Sequence, residues 1–75
     1  MEHAVNKPFL PKRIEQARSK VGLSQNAVSE AVGVGPIDYS FWESGHKVVP
    51  EGKKPKLAEV LGVTIDWLSD TGPAQ

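Results

Sequence analysis

The chain of 75 residues contains no cysteine. No disulfide and no thiolate metal site can therefore hold it together. That absence suits a reducing compartment, where thiol chemistry is seldom used as a structural staple. No apolar run approaches the roughly 20 residues needed to cross a bilayer, and Met1 to Pro8 has no apolar core of a signal peptide. The default expectation is a soluble protein in the cytoplasm. Net charge is also missing: nine basic residues stand against nine acidic ones. Histidine is scarce, and His3 and His46 stand alone without a partner at ligand spacing, which argues against a metal centre. No serine lies in a recognisable nucleophile motif. Gly33-Val34-Gly35 lacks the later glycine and the preceding strand of a phosphate-cradling loop, and the carboxylates form no obvious catalytic pair. With so little room for a pocket, the expectation is no enzyme and no cofactor.

What the chain does have is segregated charge. Residues 1–20 carry Lys7, Lys12, Arg13, Arg18 and Lys20 against Glu2 and Glu15. Residues 21–45 carry only Glu30, Asp38 and Glu43. Residues 46–56 are basic again, with Lys47, Lys53, Lys54 and Lys56 against Glu51, and residues 57–75 hold Glu59, Asp66 and Asp70 alone. Such blocks describe ordinary solvated surface unless a fold gives them a common face.

The hydrophobic spacing is helical throughout, and no stretch alternates cleanly enough for a strand. Met1 to Phe9 lacks periodicity and reads as a flexible arm. Pro11 opens a first helix, in which Leu10, Ile14, Ala17 and Val21 share one face, and Gly22 closes it. Ser24 caps a second helix, Gln25 to Val32, with Val28, Ala31 and Val32 inward and Ala27 beside them. Gly33 stops it. Pro36 opens a third helix reaching Ser44, where Tyr39 and Trp42 are three apart and face the core. His46 to Lys54 is a loop. A fourth helix covers Pro55 to Leu61, with Leu57, Val60 and Leu61 inward. Thr64 caps a fifth from Ile65 to about Ser69. The expectation is an all-α compact bundle of about five short helices, with residues 10–70 as the domain and 71–75 as a tail.

Leu23 to Gly45 is the informative stretch: two short helices joined by a glycine-led turn. Such a turn sets the helices at a steep angle, so that one can cross a phosphate backbone while the other enters the major groove. Leu23-Ser24-Gln25, Ala27-Val28, Gly33-Val34, Tyr39, Trp42, Glu43 and Gly45 resemble, in register, the Cro/phage-repressor type (XRE family) of helix-turn-helix domain. The segment Leu61-Gly62-Val63-Thr64-Ile65-Asp66-Trp67-Leu68 is similar to the end of lambdoid repressor domains. The resemblance covers about residues 10–70.

The resemblance implies a lambda-repressor-like bundle acting as a sequence-specific regulator of transcription on double-stranded DNA, as a homodimer in a bacterial host cell. It implies that Gln25 and Asn26, at the start of the second helix, lie at the phosphate backbone. Pro36, Ile37, Asp38, Ser40 and Phe41 then fall on or beside positions that reach base edges. Lys47, Lys53 and Lys54 fall in a segment that lies along the backbone, which gives the second basic block a common purpose. Arg18 and Glu43 match a structural ion pair between the first and third helices.

The chain departs from the family where bases are read. No Arg, Lys, Gln or Asn lies between Gly35 and Gly45, although those side chains make the bidentate bonds to purine edges. Ile37 and Phe41 offer contact with thymine methyls, and Asp38 could accept a bond from cytosine. The same apolar pair also fits a second reading, in which the fold binds a protein partner as an adaptor or inhibitor. A third reading is the DNA-binding antitoxin of a toxin pair.

Overall fold

The computed structural model describes residues 7–69. They form α1 (Pro11–Val21), α2 (Gln25–Val32), α3 (Pro36–Ser44), a single 3₁₀ turn (Glu51–Lys53), α4 (Lys54–Leu61) and α5 (Ile65–Leu68). The segments Met1 to Asn6 and Asp70 to Gln75, with His3 and the tail, lie outside the described residues.

Several helix boundaries have a local cause. Pro11 sits in the first turn of α1, where its missing N–H is no loss. Gly22 takes φ 78° and returns its N–H to the Arg18 and Ser19 carbonyls. Any other L-residue would be strained there. The Ser24 hydroxyl accepts the Ala27 N–H at 3.0 Å and starts α2. The Thr64 hydroxyl does the same for the Trp67 N–H at 3.0 Å and starts α5.

The core draws on every helix: Ile14 and Ala17 from α1, Val28 and Val32 from α2, Tyr39 and Trp42 from α3, Leu57, Ala58 and Leu61 from α4, and Leu68 from α5. Tyr39 and Trp42 meet edge to face with centroids 5.7 Å apart, a geometry that suits the aromatic quadrupoles. The two ends of the described chain are pinned together. The Leu10 N–H donates to the Leu68 carbonyl at 2.8 Å. Arg13 donates to the Trp67 carbonyl at 2.6 Å while its guanidinium lies 4.8 Å from the Trp67 ring centroid.

Several sequence expectations are corrected. Phe9 belongs to the core, 4% exposed, and not to an arm; the backbone next to it is held by the Leu10 N–H bond to the Leu68 carbonyl. Val21 remains 44% exposed at the end of its helical face. In α2 Ser29 is buried and Ala31 exposed. At about 100° per residue, Ser29 lies on the side of Val28, Val32 and Gln25, whereas Ala31 points away. Ser29 tolerates burial because its hydroxyl donates to the Asn26 carbonyl at 2.8 Å. α4 begins at Lys54, one residue before Pro55, which still lies in the first turn where proline is accepted. Ala58 takes a core place and Val60 is only partly buried. Within the loop after α3, Val49 is buried, so the loop is fastened at its middle.

Candidate nucleic-acid interface

Gly33 ends α2 with φ 88° and donates to the Ser29 carbonyl at 2.9 Å. The Val34 N–H reaches the same carbonyl at 2.9 Å. The chain thus turns at Gly33 and Val34, and Gly35 in extended conformation delivers Pro36 to the first turn of α3. The last glycine of the motif, Gly45, has φ 88°. A side chain there would meet the Pro11 ring at 3.5 Å, so the end of α3 lies against the start of α1.

Behind α3 the Glu43 carboxylate, with a side chain 6% exposed, is the hub of a polar network. It accepts from Arg18 Nε at 2.6 Å, Arg18 Nη2 at 3.2 Å, Gln25 Nε2 at 2.8 Å and the Tyr39 hydroxyl at 2.5 Å. Arg18 Nη1 donates onward to the Leu23 carbonyl at 2.9 Å. One side chain of α3 is thereby tied to α1, to the start of α2 and to the residue before its cap. Burial by itself pushes the Glu43 carboxyl up, but the hydrogen bonds from Arg18, Tyr39 and Gln25 prevail and hold it below the usual carboxylate range. Tyr39 is pushed up, first by burial and then by donating to Glu43. Arg18 is raised by its bond to Glu43. Each shift keeps the network in the protonation state that its geometry requires.

The opposite face of α3 is open. Ile37 is 69% exposed, Pro36 and Asp38 are exposed, and Ser40 and Phe41 are half-buried. The Ser40 hydroxyl donates to the Ile37 carbonyl at 2.7 Å. Lys47, in the loop after α3, reaches Asp38 at 3.5 Å and lies 5.5 Å from the Phe41 ring centroid. Both partners of that ion pair are solvated, so it holds weakly and can open. Lys53 lies across the turn: its ammonium is 3.9 Å from where a side chain on Gly33 would begin. Asn26 is exposed at the start of α2, and Gln25 beside it is half-buried.

Lys54 does not join this surface. Its side chain is 6% exposed, and its ammonium donates to the Glu51 carboxylate at 2.8 Å and to the Lys7 carbonyl at 3.0 Å. The expectation of a phosphate contact at Lys54 is corrected, because α4 begins at this residue and turns its side chain inward. Sequence reasoning also missed two members of the site. Tyr39 is an aromatic of the core whose hydroxyl serves Glu43; their spacing of four on one helix was the available signal. His46 lies beside Phe41 with ring centroids 5.6 Å apart and shares a 2.7 Å hydrogen bond with the Ser44 hydroxyl. A lone loop histidine gave no such sign. Among the described residues no cluster of metal-ligating side chains occurs, and no helix is long and apolar enough to cross a membrane.

Comparison with known proteins agrees with this geometry. No curated protein matches the sequence closely. Among solved structures, a crystal structure of the P22 c2 repressor protein in complex with synthetic operator 9T, in the presence of Tl+, superposes with a TM-score of 0.79 at 25% sequence identity, covering 85% of this chain and 97% of that one. The profile of the helix-turn-helix domain family matches residues 12–71. With that match over most of its length, the chain belongs to the helix-turn-helix domain family and is of the Cro/phage-repressor type.

Proposed function

We propose that this protein is a transcriptional regulator that binds double-stranded DNA by laying α3 in the major groove. The observation that carries the proposal is the exposed face from Pro36 to Phe41, braced from behind by the Glu43 network and flanked by Lys47 and Lys53. The P22 c2 repressor, similar in fold, is seen on operator DNA. Phosphates would be met by Lys47, Lys53 and the start of α2 at Gln25 and Asn26. Gln25 Nε2 carries a second hydrogen beyond the one given to Glu43, so it can serve both. Base reading falls to Ile37 and Phe41 against thymine methyls, to Asp38 against cytosine, and to DNA shape. Regulators of this fold bind two half-sites one helical turn apart, so the protein acts as a homodimer on a near-palindrome in the host cytoplasm. Its role is binding and not catalysis.

The test is titration of genomic duplexes across a salt series. Binding should weaken linearly in log–log form, and Lys47→Ala or Lys53→Ala should each lower the slope by about 1. No binding at low salt would refute the proposal. Selection from a random duplex pool should then return a palindrome.

One observation favours a second reading, an adaptor that binds another protein: Ile37 is 69% exposed on a face of α3 whose other members, Pro36, Asp38, Ser40 and Phe41, include no long polar side chain. Under that reading Ile37→Asp with Phe41→Ala abolishes partner capture, while Lys47→Ala with Lys53→Ala leaves it intact.

A further inference from the structure

We infer that Lys54 is a positioning residue that clamps the Lys7–Phe9 segment and the 50–53 turn onto α4, and so holds Lys53 at the DNA backbone; the last step rests on the DNA reading above. A lysine ammonium has three donors and no acceptor. Here one donor goes to the Glu51 carboxylate, one to the Lys7 carbonyl 47 residues away in sequence, and the ammonium faces the Phe9 ring at 5.3 Å from its centroid. That ring face is electron-rich and attracts a cation, more so away from water. The charge meets a carboxylate and an aromatic ring, and two donors meet acceptors within the protein, which answers the condition for burying a lysine. The Lys54 backbone N–H also donates to the Glu51 carbonyl, so Glu51 is gripped by both main chain and side chain. The Lys53 N–H closes the same turn on the Pro50 carbonyl at 3.0 Å. Lys53, half-buried with its ammonium beside Gly33, therefore stands on a turn whose other side is fixed by Lys54.

Two neighbouring lysines thus have separable roles, and the salt dependence of DNA affinity separates them. Each phosphate contact contributes about 0.9 to the slope of log affinity against log salt. Lys53→Met should lower the slope by that amount. Lys54→Met should weaken binding several-fold with the slope unchanged. An equal loss of slope in both variants, or undiminished affinity in Lys54→Met, overturns the assignment.

The free wild-type protein supplies the second measurement, which needs neither a variant nor DNA. A protected Lys54 ammonium should give a ¹H–¹⁵N signal with nuclear Overhauser contacts to the Phe9 ring, whereas Lys53 should give none. Absence of the signal or of those contacts overturns the clamp. If the wild type does not bind DNA, the regulator reading fails, and the Lys54 signal still decides whether the clamp exists. On addition of duplex the signal should persist unshifted; its loss to a phosphate would likewise overturn the clamp.

Discussion

Replacing Glu43 by Gln tests the network that braces α3. The substitution keeps shape and removes the charge. Glutamine offers one acceptor oxygen where the carboxylate accepts four bonds from Arg18, Gln25 and Tyr39. Its amide also points donors at other donors. Arg18, largely shielded from water, is left without its counter-charge. Removing one member of a buried pair costs about 3–5 kcal/mol, and the solvent still reaching Arg18 places this case near the lower end, about 3 kcal/mol. A chain of this length has a total stability of about 4–11 kcal/mol, so the loss is a large share of it. At 4–8 °C per kcal/mol for a small domain, the melting temperature should fall by roughly 12–24 °C. Urea titration followed by circular dichroism measures the change directly. A double-mutant cycle with Arg18→Met isolates the pair and should return a coupling of about 0.5–3 kcal/mol. A loss below about 0.5 kcal/mol for Glu43→Gln, or additivity with Arg18→Met, would refute the view that the carboxylate holds α3 in place.

The same network predicts the acid limb of stability. Its carboxyl is held below the ordinary value in the fold, so its contribution is whole above the unfolded value of about 4.3. That contribution declines as pH falls through the lower folded value; the decline should be shallower in Glu43→Gln, as read from melting temperature against pH. Phe9→Ala should destabilise by about 3 kcal/mol, as for a core phenylalanine; a change under 0.5 kcal/mol in urea titration would return Phe9 to a loose arm. Ser24→Ala removes the acceptor of the Ala27 N–H and should cost about 1 kcal/mol, with Ser24→Asp restoring most of it in thermal melts.

Local chemistry made much of the fold legible. Prolines 11 and 36, the caps Ser24 and Thr64, and glycines 22, 33, 45 and 62 act on their own neighbours, so they marked the helix ends before any tertiary contact was known. The motif gave the register of α2 and α3, and with it the exposed face at Ile37. Short helices were harder to orient. In α2, with eight residues, small apolar side chains fall on several sides, and the side that turns inward is the one that buries Val28 and Val32 and brings Gln25 to Glu43. Ala31 was misplaced for that reason.

The candidate site shows the same division. Its basic residues were visible as a block, yet a block does not say which charge faces out. Sequence determined that the chain is helical, where its helices begin and end to within a residue, and that two of them form a helix-turn-helix. Tertiary structure alone decided that Lys53 brings its ammonium to Gly33 while Lys54 turns in to Phe9, Lys7 and Glu51. The physical reason is range. Caps and periodicity act within a few residues, whereas the burial of a lysine depends on partners that only the folded chain brings within hydrogen-bond distance.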